Sequence, residues 1–277
     1  MGAIVLLAPR AAHSATAGPG LPADFIALNL HAAGFNLRAW LRPGSGEMLH
    51  VFIEGDGSIW RDFNRPAFNP TPRNPVSARL AADTPLPAPV LYVARPGQYV
   101  SDAELRRLSA RWWTSHRYAP PVVEAMCGVI EQGLQRSQTS SLGLYGHSGG
   151  GALAVLAAAN LRENLSLVAT VASPLDTAAW AELHRGSLAD SMNPTTVARQ
   201  LRDCPQFHLS GTRDEIVPTR ILDSWLAELQ PLPEWVKRVV VAGADHQGPW
   251  VKSWRLALAR ALARASGRLN FAERRDA

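Results

Sequence analysis

A chain of 277 residues, 47% hydrophobic and 18% charged, is long enough for one large domain around a buried sheet, and no Ser/Gly-rich linker divides it. Its net charge of +5 comes from scattered basic residues rather than a basic patch among aromatics, so nucleic acid is not an expected partner. The longest apolar run near the start, Ala3 to Pro9, is far too short to span a membrane.

Ile4 to Ala8 is apolar, and Ala15-Thr16-Ala17 before Gly18 reads as a small-residue cleavage site. No Lys or Arg precedes the apolar run. Residues 1–20 are therefore read as a signal remnant or a tail, and export to the periplasm or outside is the expectation, with the cytoplasm as the alternative. Residues 21–277 are read as a single domain.

Phe25 to Leu30 and Phe35 to Leu41 alternate in polarity around Ala32-Ala33-Gly34 and predict an antiparallel hairpin. Leu49 to Ile53 is a continuous apolar run stopped by Gly55-Asp56-Gly57, as suits a buried parallel strand. Asp62 to Pro89, rich in Pro, Asn and Arg, reads as a long excursion, and Val90 to Ala94 as the next strand. Pro120-Pro121 opens a helix to about Gln135. Then follow a strand at Leu142–Tyr145, an Ala-rich helix at Gly149–Leu161 and a strand at Leu165–Val171. Residues 174–205 form a mixed segment. A strand at Phe207–Leu209, a helix at Thr219–Leu229, a strand at Arg238–Val241 and a helix at Pro249–Ala265 complete the chain. On that last helix Arg255, Arg260, Arg264 and Arg268 stand largely opposite Val251, Trp254, Leu258 and Leu262, as on an amphipathic surface helix. Strands alternating with helices predict an α/β fold with a mostly parallel sheet covered on both faces. Ligands then bind beyond the carboxyl ends of the strands.

The chemistry-bearing residues fall just there. Gly146-His147-Ser148-Gly149-Gly150 links a strand to a helix, the context a nucleophile elbow requires. Ser148 is the candidate nucleophile; the flanking glycines admit the close backbone approach of so sharp a turn. A serine needs a base. Of eight histidines, His246 alone lies on the loop after the last strand. The ring of His147 should point away from Ser148, and His208 reads as core. The orienting acid should lie between nucleophile and base in the chain. Asp214, in Gly211-Thr212-Arg213-Asp214-Glu215-Ile216-Val217-Pro218, fits; Asp176 is the alternative, and Glu215 and Asp245 are less suited. The N–H of Gly149, the residue after the nucleophile, is one candidate oxyanion donor; by resemblance to the usual His-Gly-x oxyanion turn, the N–H of Asp56 is the second, with Gly57 close behind. The Glu54 and Asp56 carboxylates are expected to bond loop N–H groups.

From Leu49 to Trp250 the chain resembles the α/β-hydrolase superfamily. Ile53 to Gly57, Trp113-Thr114 with Arg117-Tyr118, and the Asp214 and His246 loops resemble a bacterial, often exported, group of poorly defined substrate. The resemblance implies an α/β-hydrolase fold with a small cap over 174–205, and a serine hydrolase passing through an acyl-enzyme. Glu54 departs from the histidine common at its position. Carboxylic esters of short to medium acyl length are the expected small-molecule substrates; a thioester, a peptide bond or a catalytically silent binding protein are the alternatives. Leu175, Trp180, Leu183, Leu188 and Met192 offer enough apolar surface to wall one pocket. Trp112 and Trp113 either supply its other wall or pack on the sheet. No nicotinamide, P-loop or zinc pattern appears, so no cofactor or metal is expected. Cys127 and Cys204 have no metal spacing; they are separate thiols, or a disulfide if the protein is exported. The sequence leaves the oligomeric state open.

Overall fold

The computed structural model describes residues 18–272, apart from 63–64, 85–86 and 189. The signal reading over 1–17 lies outside the described residues. So do the side chains of Arg264 and Arg268.

In chain order the strands are β1 (Ile26–Ala32), β2 (Phe35–Arg42), β3 (Met48–Ile53), β4 (Trp60–Asp62), β5 (Arg65–Pro66), β6 (Val90–Val93), β7 (Ser141–His147), β8 (Leu165–Val171), β9 (Gln206–Gly211) and β10 (Val236–Val241). The helices are α1 (Val76–Ala82), α2 (Asp102–Leu105), α3 (Pro120–Ser137), α4 (Gly149–Asn160), α5 (Thr177–Leu183), α6 (Thr219–Ala227) and α7 (Val251–Ala272). Eight strands form one sheet in the order β1-β2-β6-β3-β7-β8-β9-β10, and β4-β5 is a separate ribbon. The pairs β1–β2 and β2–β6 are antiparallel, and every pairing from β6 onward is parallel. The fold is thus the mostly parallel α/β-hydrolase architecture that the sequence predicts.

Side chains along each strand divide between two cores, because successive residues point to opposite faces. Val51, Ile53, Leu91, Val93, Leu142 and Leu144 pack with α3, α4 and α6. Phe52, Val90, Tyr92, Tyr145, Leu167 and Phe207 pack with α1 and α7. Trp254 and Leu258 of α7 are buried, whereas Arg255 and Arg260 are exposed, as the amphipathic reading requires.

The excursion after Asp62 holds more order than its composition suggests. Its helix α1 docks on the end of β3: Ser77 Oγ donates to the Ile53 carbonyl at 2.8 Å, and the His147 N–H donates to Ser77 Oγ at 3.1 Å. Segment 174–205 contains α5 and a 3-10 helix over Pro194–Leu201. Cys127 and Cys204 are free thiols.

Candidate active site

The carboxyl ends of β3, β7, β9 and β10 deliver Asp56, Ser148, Asp214 and His246 to one cleft edge. Ser148 has φ 52° and ψ −130°, a left-handed backbone that costs a non-glycine residue on the order of 1–3 kcal/mol. Close packing over-determines it. A Cβ on Gly146 would fall on the Gly150 carbonyl carbon, and a Cβ on Gly150 would fall on the Ile53 carbonyl oxygen. The Ser148 N–H donates to the Val171 carbonyl at 2.9 Å. The turn thereby lifts the Ser148 side chain out of the sheet at the head of α4.

His246 Nε2 stands 2.9 Å from Ser148 Oγ, and His246 Nδ1 stands 3.0 Å from Asp214 Oδ2. The other Asp214 oxygen accepts from the Ile216 N–H at 3.0 Å and the Val217 N–H at 2.8 Å. The Asp214 side chain is fully buried and that of His246 is 14% exposed. The three residues singled out by loop position are therefore in hydrogen-bond contact. Asp176 is elsewhere: it caps α5, accepting from the Ala178 and Ala179 N–H groups and from Asn193 Nδ2. Asp245 accepts from the Gln247 and Gly248 N–H groups, forming the turn that carries His246. Glu215 is exposed.

His147 does more than turn away from the serine. Its Nε2 donates to the His246 carbonyl at 2.7 Å, and its ring lies 4.9 Å from the His246 ring. Burial first, then the nearby His246 ring, pushes the His147 imidazole down to about 3. It is a neutral donor that fixes the backbone of its neighbour. Trp250 Nε1 donates to the same carbonyl at 3.3 Å.

On the other side of Ser148 stands the Gly55-Asp56-Gly57 turn. Glu54 behaves as expected: Oε1 accepts from the Gly55 N–H at 2.8 Å, and Oε2 from the Ala78 N–H at 3.3 Å and Tyr92 OH at 2.9 Å. Burial pushes its carboxyl up despite these bonds. Asp56 requires a correction. Its carboxylate binds side chains rather than loop N–H groups: Arg95 pairs with Oδ1, Arg117 Nε lies 3.1 Å from Oδ2, and Tyr118 OH donates at 3.2 Å. Burial alone would raise this carboxyl, but Arg117, Arg95 and Tyr118 together hold it below its ordinary value. The cluster abuts Gly149, where a Cβ would strike Asp56 Oδ1. The reason is charge. Two guanidiniums, each with a side chain at most 4% exposed, need an anion more than the loop does. The N–H groups of Asp56 and Gly149 meanwhile have no protein acceptor among the described residues. Gly149 opens α4, where N–H groups are unpaired by construction.

The cleft at Ser148 has a volume of about 440 Å³, and Ile59, Pro72, Trp180 and Ile216 are among its apolar walls. Of the two readings left open for Trp112 and Trp113 the structure shows packing, and the expectation that the apolar residues of 174–205 wall the cleft is corrected. Trp113 packs with Val100 and Leu105 and donates to the Ala67 carbonyl, and Trp112 packs edge-on against Phe35; neither lines this cleft. Of the five apolar residues in 174–205, only Trp180 lines it. Leu175 is core, and Leu188 and Met192 pack against the core.

Comparison with known proteins agrees with the fold. The lipase (class 3) family model matches residues 98–186, a segment that holds Ser148 but neither Asp214 nor His246. No curated protein matches the sequence. Among solved structures, XC6422 from Xanthomonas campestris, described as an α/β serine hydrolase without a lid, superposes with a TM-score of 0.58 at 18% identity, over 88% of this chain and 96% of that one. Est1E from Butyrivibrio proteoclasticus gives 0.58 at 13% identity, over 86% and 99%. The acylaminoacyl peptidase of Pyrococcus horikoshii gives 0.62 at 14% identity, over 87% of this chain but 40% of that one. Its sheet order and these likenesses show that the chain has the α/β-hydrolase fold.

Proposed function

We propose that the chain hydrolyses carboxylic esters, with Ser148 as nucleophile, His246 as general base and Asp214 as the acid that orients the imidazole. The observation that carries this is the unbroken contact from Ser148 Oγ through both ring nitrogens of His246 to Asp214. In that chemistry His246 Nε2 takes the serine proton as Oγ attacks the ester carbonyl. The N–H groups of Gly149 and Asp56 hold the resulting oxyanion. His246 then gives its proton to the departing alcohol. Water, deprotonated by the same nitrogen, releases the acid from Ser148.

The walls of the cleft favour short to medium acyl groups. Each methylene gains about 0.8 kcal/mol only while it meets apolar wall, and Ile59, Pro72, Trp180 and Ile216 make a short one. A fluorophosphonate probe should label the native protein and leave Ser148→Ala unlabelled; labelling retained in that variant refutes the nucleophile. With p-nitrophenyl esters from acetate to palmitate, kcat/KM should climb and then stop. A rise continuing to palmitate refutes the acyl range. The likeness to acylaminoacyl peptidases makes peptide bonds the second reading, since the same groups would serve. Acyl-peptide and thioester substrates therefore belong in the same panel.

A further inference from the structure

We propose that the cleft at Ser148 continues into a second subsite, on the β4–β5 ribbon, that binds an anionic group carried on an apolar or aromatic part of the substrate. The inference rests on the ester reading above and names a substrate class for it: esters with a remote carboxylate or similar anion.

The first observation is continuity. A second hollow, of about 790 Å³, borders the first, and the two share Gly57, Ser58, Ile59 and Arg73 as a common wall. The Gly55-Asp56-Gly57 turn beside Ser148 therefore runs directly into the ribbon. The second observation is apolar surface in a concave place. Trp60 is 45% exposed and Phe68 is 53% exposed, and both line the second hollow. Two wet aromatic rings in one groove offer a surface for a chain or a ring to cover.

The third observation is charge. Arg61 and Arg73 line the groove, are exposed, and have no ion-pair partner among the described residues. Other surface arginines do: Arg38 has Glu104, Arg238 has Asp223 and Arg255 has Asp83. No acid in the groove is free to answer Arg61 and Arg73. Glu54 is buried and bonded, Asp56 is consumed by Arg95 and Arg117, and Asp62, at the end of the ribbon, pairs with Arg65. Arg61 and Arg73 are the charged groups among the described lining residues of the groove, and their positive charge both steers and selects an anionic ligand.

The test compares pairs of closely similar shape in which a remote carboxylate is either free or capped as a neutral methyl ester, with only the cleavage of the activated aryl ester recorded. One pair places it on the acyl side, the p-nitrophenyl monoester of suberic acid against its methyl ester. The other places it on the leaving group, 4-acetoxyphenylacetate against its methyl ester. For at least one pair kcat/KM should favour the anion by about tenfold at low salt. In the Arg61→Gln/Arg73→Gln double variant, and in 0.5 M salt for the native protein (about 0.5 M exceeds the range where exposed charges act at a distance), the preference should fall to near one. The preference is read as the ratio of anionic to neutral ester within each variant, so a general loss from altering Arg73 in the shared wall cancels. Absence of a preference in both pairs, or its survival in the double variant, overturns the subsite. Calorimetric titration with 4-phenylbutyrate reads the same site without turnover. Binding should weaken about fivefold or more in the double variant, and equal binding overturns the proposal. If no ester is cleaved while this titration behaves as stated, the ester reading fails and the subsite stands.

Discussion

Two carboxylates flank Ser148, and the fold treats them in opposite ways. Asp214 is held mainly by backbone: two N–H groups take one oxygen and leave the other for His246. Asp56 is held by side chains from distant parts of the chain, and both its oxygens are occupied. An acid kept for an imidazole needs one free oxygen and a fixed direction, which a tight loop provides. An acid kept to neutralise two buried cations needs no free oxygen, and both of Asp56's oxygens go to side chains. Chemically identical side chains thus serve orientation on one side and charge balance on the other.

The largest expected effect tests the Asp214 side. Asp214→Asn keeps the shape but favours the wrong imidazole tautomer, and kcat should drop by up to about 10⁴. A loss below tenfold would remove Asp214 from the proposed role. The Asp56 side should break differently. Asp56→Asn leaves Arg95 and Arg117 buried without an anion, a cost of about 3–5 kcal/mol, read by urea denaturation. If the variant loses under about 1 kcal/mol, the two guanidiniums are reaching water, and the contrast with Asp214 collapses.

A third test sharpens the Asp214 side through His147, and through two further buried histidines. Burial holds His50 at about 4, His147 at about 3 and His208 at about 3. The unfolded chain binds protons at these rings as pH falls below about 6.5, while the folded chain does not. The stability these rings contribute is therefore complete above that pH and is lost as pH falls toward 4. Each ring contributes a slope of up to about 1.4 kcal/mol per pH unit. Replacing His147 by Gln should flatten the slope measured by denaturation between pH 6 and 4; an unchanged slope would mean that this ring is not held neutral. The smallest effect belongs to the rejected alternative acid. Asp176→Ala removes a helix cap worth about 1 kcal/mol and should leave kcat unaltered. A rate loss rivalling that of Asp214→Asn would exchange the two assignments.

The difference between the carboxylates also explains what the sequence discloses. Ser148, Asp214 and His246 each follow a strand within a few residues, and each sits in its own local pattern of glycines or turn residues. Reading strand ends in order is enough to find them. The Asp56 cluster has no such pattern. Asp56, Arg95, Arg117 and Tyr118 lie on three separate stretches, and only the folded sheet brings them together. The Gly55-Asp56-Gly57 turn marks a tight approach but not the partner of its carboxylate. Helix α1 is seven residues long, too short for helical periodicity to emerge from a Pro-rich stretch. Trp112 and Trp113 mislead for a related reason: large aromatics fill cores and pockets alike, and their side of the sheet is set by packing with Phe35 and Val100.

The peptide plane between Ile216 and Val217 deserves a mechanical reading. Its carbonyl accepts two bonds from α5, from Trp180 Nε1 at 2.8 Å and His184 Nε2 at 2.7 Å. Its N–H donates to Asp214 at 2.8 Å. One rigid plane therefore joins the indole that walls the cleft to the carboxylate that meets His246. Bonds in series polarise one another, so the contacts at the carbonyl strengthen the one at the N–H. Trp180 and Asp214 are two hydrogen bonds apart through a single planar group. The indole that walls the cleft and the carboxylate beside His246 thus share one support.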